Sequence, residues 1–176
     1  HTNWVFVPAY SSSSNGSRPF GTWSARELWS LNGWMINGDF RYDLGAVVVN
    51  RVGGQRLVDR IGGDGIKFNI NPASRFFSAF GYPQAAPFNG WTQWRCNDFV
   101  SRDLLMPATD RTLRMFCNMT GGSSGGGWKI DFLASGLAYV NSVNSYKYNN
   151  NVNFMYGPYH GTGAVNLYNA VKNRPA

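Results

Sequence analysis

The stretch Thr120-Gly121-Gly122-Ser123-Ser124-Gly125-Gly126-Gly127-Trp128 packs five glycines around a pair of serines. A serine hydroxyl attacks a carbonyl efficiently when a tight turn presents it and neighbouring backbone N–H groups converge where an oxyanion will form. Glycine suits such a turn, because without a Cβ it reaches unusual backbone angles and lets main chain approach a substrate closely. Ser124 is therefore the candidate nucleophile, with the amides of Gly122 and Ser124 as the candidate oxyanion hole. The same composition also suits a flexible Gly/Ser linker. This run, however, lies between two apolar segments, LRMF at 113–116 and WKIDFLA at 128–134.

Further stretches fall in a recognisable order. WVFVPAY at 4–10 is followed by PFGTW at 19–23, then FRYDLGAVVVN at 40–50, then FGYP at 80–83 with FNG at 88–90. CNMTGGSSGGGW follows, and NSVNSY at 141–146 and MYGPYHG at 155–161 close the series. The set resembles secreted bacterial trypsin-like serine peptidases of the chymotrypsin superfamily, in the branch that includes glutamyl endopeptidases. The resemblance implies an all-β fold of two antiparallel β-barrels with a short C-terminal helix, catalysis at the barrel junction, and no cofactor. It places residues 1–60 in the remainder of a first barrel, incomplete in this chain, and residues 61–176 in the second.

It also implies that Asp43 orients a histidine while Ser124 attacks the scissile bond. The residues agree. Asp43 stands at the mouth of LGAVVV, a run apolar enough to be buried on both faces. A carboxylate there needs a partner, because burying an unpaired charge costs several kcal/mol. A turn-capping role is the alternative for Asp43, but Asp39 in NGDF reads better as the turn residue.

The histidine is the difficulty, because the chain has only His1 and His160. The family order is His, Asp, Ser, so His160 lies on the wrong side of the serine and reads as a surface-turn residue. His1 has the right order but lacks the small-residue and cysteine surroundings of the family histidine. The expectation is that the triad histidine belongs to a segment upstream of residue 1, carried by a separate polypeptide or by the same precursor, with a genuine truncation that cannot be active as the alternative.

The elements that must position these residues are short strands. Strands are expected at 4–8, 43–49, 66–70, 75–80, 91–96, 112–117, 128–134 and 137–143, with a surface loop at 11–19 and a turn at VGGQR, 52–56. KYNNNVN at 147–153 reads as an Asn-rich loop. GAVNLYNAVKNR at 163–174 spaces Val165, Tyr168 and Val171 at helical intervals, with Leu167 and Ala170 alongside. With 176 residues, 43% hydrophobic content, 21 glycines and only 14% charged residues, the chain can bury a core of many short strands. No run of 18 apolar residues occurs, so no membrane partner is expected.

Cys96 and Cys117 are the only cysteines. An even count in an extracellular setting favours a disulfide, with two reduced core thiols as the alternative. No CxxC or HxxxH spacing accompanies them, which argues against a metal. The net charge of +7 comes mostly from arginines spread along the chain. Their dispersal argues against a nucleic-acid partner, which calls for a basic patch interleaved with aromatics.

Aligned on Ser124, the resemblance places Asn118 near the base of the primary specificity pocket and Ser142, Val143 and Asn144 along its wall. None carries a charge, which disfavours cleavage after Lys or Arg. Ser123 stands where the superfamily often has an aspartate, and Gly127 where it often has proline. Two functions are carried forward: a secreted serine endopeptidase acting on protein or peptide, and a noncatalytic peptide- or glycan-binding domain on the same scaffold. They differ at Asn118-Met119-Thr120, an N-glycosylation sequon. A glycan there would block the nucleophile loop, so glycopeptide mapping of native protein should find Asn118 bare; an occupied Asn118 would count against the peptidase.

Overall fold

A computed structural model describes residues 3–11, 15–73, 75–107 and 112–176. The first sheet runs β1 (Val5–Phe6), β2 (Trp23–Ser30), β3 (Gly45–Val49) in spatial as well as chain order. β2, WSARELWS, begins on the fully buried Trp23 and then alternates exposed and half-buried residues, the period-two signature of a strand with one covered face. Helix α1 (Asn32–Asn37) and a 3-10 turn at Phe40–Tyr42 link β2 to β3, and helix α2 (Leu57–Ile61) follows.

Residues from 65 to 157 form two further sheets. One has the order β4 (Gly65–Ile66), β10 (Tyr139–Val143), β9 (Gly127–Ile130), β5 (Phe76–Gly81), β6 (Trp94–Phe99). The other has the order β11 (Tyr146–Tyr148), β12 (Asn151–Gly157), β8 (Leu113–Phe116), β7 (Ser101–Arg102). Pairing is antiparallel throughout except between β4 and β10. Phe77 and Ala79 on β5, Trp128 and Ile130 on β9, Leu113 and Met115 on β8 and Met155 on β12 meet in one buried cluster, each an alternate residue of its strand. Burying side chains of this size contributes about 1.5–3 kcal/mol each before entropy is counted.

Cys96 on β6 and Cys117 at the end of β8 form the expected disulfide, which ties the two sheets together with a Cα–Cα distance of 5.3 Å. For their separation of 21 residues the chain-entropy model gives about 3 kcal/mol. Helix α3 (Thr162–Val171) packs back across β2 and β3. Its buried residues are Ala164 and Leu167, while Tyr168, expected on the packing face, is exposed. Arg174 beyond it reaches Glu27 at 3.7 Å and covers the Trp29 ring.

The VGGQR turn forms as expected: Gly53 and Gly54 both have positive φ, and Val52 and Gln55 exchange two hydrogen bonds of 3.1 Å. Elsewhere the expectations need correction. The Asn-rich 147–153 segment is not a loop but a hairpin, in which Asn149 and Asn150 are only the turn between β11 and β12. Tyr148 and Asn151 pair directly across it, and the asparagines masked the strands on either side.

His160 is not a surface residue. It is 1% exposed beside Phe68, and both of its ring nitrogens lack a hydrogen-bond partner among the described residues. The turn folds inward because the His160 carbonyl accepts from the Asn69 amide and the neighbouring Tyr159 hydroxyl donates to the Ile70 carbonyl. Burial pulls the imidazole down from its ordinary 6.5 to about 4, so it is neutral when folded at neutral pH. The unfolded chain then binds the additional proton between these values, and stability should fall as pH drops from about 6.5 to about 4, by up to about 3 kcal/mol. His160→Phe should remove that component from the difference between urea-unfolding free energies at pH 7 and pH 4; an unchanged difference would refute it.

Candidate active site

The glycine loop is held in place by two kinds of constraint. Sterically, Gly122 has φ +100°, and a Cβ there would come within 2.7 Å of the Gln84 side chain and 2.9 Å of the Tyr82 carbonyl. At Gly126 a Cβ would lie 1.9 Å from the Phe80 carbonyl oxygen. Neither position tolerates a side chain, so the run is a built turn rather than a linker. Polar bonds then fix its course. The Gln84 amide donates to the Gly121 carbonyl at 2.7 Å, and Thr120 Oγ1 donates to the Ala85 carbonyl at 2.7 Å.

The structure separates the two serines. Ser123 is buried, and its Oγ donates to the Thr120 carbonyl at 2.8 Å. Ser124 is exposed, and its hydroxyl has no partner among the described residues. The amides of Gly122 and Ser124 likewise donate to no protein group among the described residues. A free hydroxyl and two free amides within three residues of a rigid turn are what acyl transfer requires of a nucleophile loop.

Asn144 grips this loop from the end of β10. Its side-chain amide donates to the Ser123 carbonyl at 2.9 Å and the Phe80 carbonyl at 2.8 Å, and its Oδ1 accepts from Trp128 Nε1 at 2.7 Å. Its main chain exchanges bonds with Gly125 and Gly126 at 2.9 and 2.8 Å. Ser142 is also buried, with its hydroxyl on the Pro158 carbonyl, and Val143 pairs with Gly127 on β9. The polar groups of Ser142 and Asn144 thus serve the scaffold, and the open edge of this segment lies further along, on β11, the terminal strand of its sheet. Asn118 is exposed, directly after Cys117.

Asp43 follows the 3-10 turn. Asp39 does the capping, accepting from the Arg41 amide at 3.0 Å and pairing with the Arg41 guanidinium, which holds its carboxyl below the usual range. That leaves Asp43 free to face the second half of the molecule, where its Oδ2 accepts from Ser145 Oγ at 2.6 Å. Phe40 reinforces the contact by packing on Tyr146, ring centroids 4.3 Å apart. No histidine faces Asp43 among the described residues, and His1 lies outside them.

Ser145 of this site escaped the sequence reading, and so did the surroundings of Lys147 on the neighbouring strand β11. Ser145 lies inside the NSVNSY stretch and is marked only by its contact with Asp43. Lys147, half-buried on β11, extends its ammonium to the carbonyls of Cys117 at 2.7 Å and Val152 at 2.6 Å, and burial pulls it down to about 8. Nothing local distinguishes it from a surface lysine. No group of three or more His, Cys, Asp and Glu side chains converges to hold a metal among the described residues.

No protein-family model and no curated protein matches the chain. Solved structures do. The protease Anisep from Arthrobacter nicotinovorans is 44% identical, with a TM-score of 0.84 over 96% of this chain and 74% of that one. The thermostable serine protease AL20 from an extremophilic microorganism is 39% identical, with a TM-score of 0.83 over 98% of this chain and 76% of that one. A Glu endopeptidase, at 17% identity and a TM-score of 0.75 over 98% of this chain and 73% of that one, shares the fold.

The Ser145–Asp43 bond predicts a measurable coupling. A hydrogen bond to a carboxylate contributes about 1.5–3 kcal/mol when sheltered, and partial solvent access lowers that to about 1 kcal/mol here. Ser145→Ala should therefore cost about 1 kcal/mol in denaturant unfolding, and the same change on an Asp43→Asn background should cost markedly less. Full additivity of the two losses would show that the pair does not interact in solution.

Proposed function

The chain belongs to the bacterial trypsin-like serine proteases of the chymotrypsin superfamily, and on that premise we propose that it carries the nucleophile half of a secreted serine endopeptidase. In this reading residues 1–60 complete part of the first barrel and residues 61–176 form the second. Ser124 attacks the scissile carbonyl, and the amides of Gly122 and Ser124 receive the developing oxyanion. Asp43, held by Ser145, orients a histidine supplied by a segment upstream of residue 1. The observation that carries the reading is the division between the two serines: Ser123 is locked inside, while Ser124 is exposed beside two free amides.

The proton inventory follows from those positions. As the Ser124 oxygen bonds to the carbonyl carbon, its proton passes to the imidazole, and the imidazolium gives it to the departing amine when the C–N bond breaks. Water then attacks the acyl-enzyme by the same route in reverse. Substrate enters as an extended segment added to β11, whose outer edge is unpaired among the described strands. The disulfide fits an oxidising, extracellular setting. The noncatalytic binding domain is the second reading, favoured by one observation: no described histidine reaches Asp43.

Ser124 has an ordinary hydroxyl until an imidazole accepts its proton, and Asp43 cannot replace that imidazole. Loss of the base from such a triad costs roughly a millionfold in turnover. Residues 1–176 alone should therefore neither hydrolyse casein nor label with a fluorophosphonate at an enzyme-like rate, and the chain joined to its upstream segment should do both. Rapid labelling of Ser124 in a sample whose intact mass corresponds to residues 1–176 only would overturn this and point to His1; His1→Ala should then abolish it. A joined protein that does neither would favour the binding domain.

A further inference from the structure

Two segments hold the nucleophile loop, one at each end. Asn144 exchanges main-chain bonds with Gly125 and Gly126. At the other end stands the loop between β5 and β6, whose Gln84 and Ala85 amides both donate to the Gly121 carbonyl, at 2.7 and 3.2 Å. Its Tyr82 carbonyl is 2.9 Å from where a Cβ on Gly122 would lie. The flank of the candidate oxyanion hole is therefore built by residues 82–85, far along the chain from the Asn144-Ser145 flank that leads into β11.

Tyr82 also lines a groove of about 440 Å³. Tyr82, Gly90, Trp91 and Gln93 form one wall, and the stretch from Phe6 to Tyr10 in the first half of the chain forms the other. Four aromatic rings, those of Phe6, Tyr10, Tyr82 and Trp91, converge there while remaining 39%, 46%, 47% and 66% exposed, and no charged side chain lines the groove among the described residues. Single exposed aromatics need no account, but a cluster of them around one groove marks a binding surface. The wall is also formed in advance. The Gly90 amide donates to the Pro83 carbonyl at 2.8 Å, the Phe88 amide to the Ala85 carbonyl at 3.2 Å, and the Trp91 amide to Asn89 Oδ1 at 2.9 Å. A loop folded on itself in this way presents Trp91 without an ordering cost on binding.

A peptide paired with β11 accounts for one half of a substrate. The half that stays bonded to Ser124 has to be held through acylation and deacylation, which suits main-chain pairing to a strand. The half that departs as the amine then lies past Gly122, on the flank that Tyr82 builds. We propose that this groove is the subsite for the residues that follow the scissile bond, and that it selects an aromatic side chain there, gripped between Tyr10, Tyr82 and Trp91. The proposal deepens the endopeptidase reading and rests on it for Ser124 as the attacking group. Two observations carry it: the groove shares Tyr82 with the wall of the candidate oxyanion hole, and its lining is aromatic and uncharged. Rings that meet edge-on or offset gain more than their buried area alone supplies, whereas a charged side chain would lose hydration there and find no counter-ion.

The test reads the departing half in reverse. The chain joined to its upstream segment is acylated with a peptide ester, and the acyl-enzyme is shared between water and an added amino-acid amide. Water yields the peptide acid. The amine instead forms a C–N bond as the bond to the Ser124 oxygen breaks, and its proton passes through the imidazole to that oxygen. The ratio of the two products reports binding of the incoming amine and does not depend on how much of a variant is folded. Phenylalaninamide should exceed glycinamide in this ratio by about 10-fold, the scale of burying one aromatic side chain. Trp91→Ala and Tyr82→Ala should each lower that preference by about threefold or more.

Equal partition to the two amides, or a preference for argininamide over phenylalaninamide, overturns the proposal while leaving the peptidase reading intact. An aromatic preference that both substitutions leave unchanged overturns the assignment to this groove and gives the groove to the upstream segment as a packing surface. If the ester is not hydrolysed and Ser124 does not label with a fluorophosphonate, no acyl-enzyme forms, and the peptidase reading fails together with the subsite.

Discussion

The structure of the site depends on one dipeptide, Asn144-Ser145. Asn144 is buried and uses its main chain and side-chain amide to hold the nucleophile loop, while Ser145 uses its hydroxyl to hold Asp43. Two groups that catalysis would need in fixed relation are thereby referred to adjacent residues of one strand end. The amide suits this position because it offers donors and an acceptor together: two carbonyls receive from its nitrogen and the Trp128 indole donates to its oxygen. A buried site with every group engaged in this way is rigid, since displacing any member leaves a partner unsatisfied.

Behind that dipeptide lies a second support, built from tyrosines. Tyr146, Tyr148 and Tyr156 pack together, with the first and third stacked at 5.0 Å, and Asp103 accepts from the hydroxyls of Tyr146 and Tyr148. Thr112 adds a 2.7 Å contact to the Tyr146 hydroxyl. Burial foremost pushes the Tyr146 and Tyr148 phenols up, so both remain protonated and able to donate. This anchors β11 on one face, and Lys147 occupies the other. The same Tyr146 ring carries Phe40 from the turn before Asp43, so the aromatic cluster also docks the first sheet to the second half of the molecule.

The first sheet is the less covered part. Val5, Phe6 and Leu28 are exposed there, whereas the cluster between the two sheets of residues 65–157 is closed to solvent. Helix α3 covers β2 and β3 on one side and contributes the Arg174–Glu27 contact. The proposed upstream segment would have apolar surface and strand edge to occupy on this sheet.

What the sequence determined was local in origin. The glycine-rich run announced a tight turn, and at Gly122 and Gly126 the conflict of a Cβ with Tyr82, Gln84 and Phe80 is the reason the residue is glycine. An aspartate at the mouth of an apolar strand had to find a partner, and Asp39 two residues from Arg41 was legible as the capping residue that spares it. The two cysteines, the Gly53-Gly54 turn and the helical spacing near the C-terminus were equally readable, since each is a matter of composition or short-range period. Tertiary structure decided the rest. Which residue meets Asp43 is set by a contact across 102 positions, and no local pattern marks Ser145 for it. The charge on Lys147 is written in the sequence, but its meaning lies in the desolvation and the two distant carbonyls that the fold brings to it. His160 reads as a turn residue from its glycine and proline neighbours. It is buried because Phe68 and the carbonyl bond to Asn69 draw the turn inward, a pairing that only the folded chain makes.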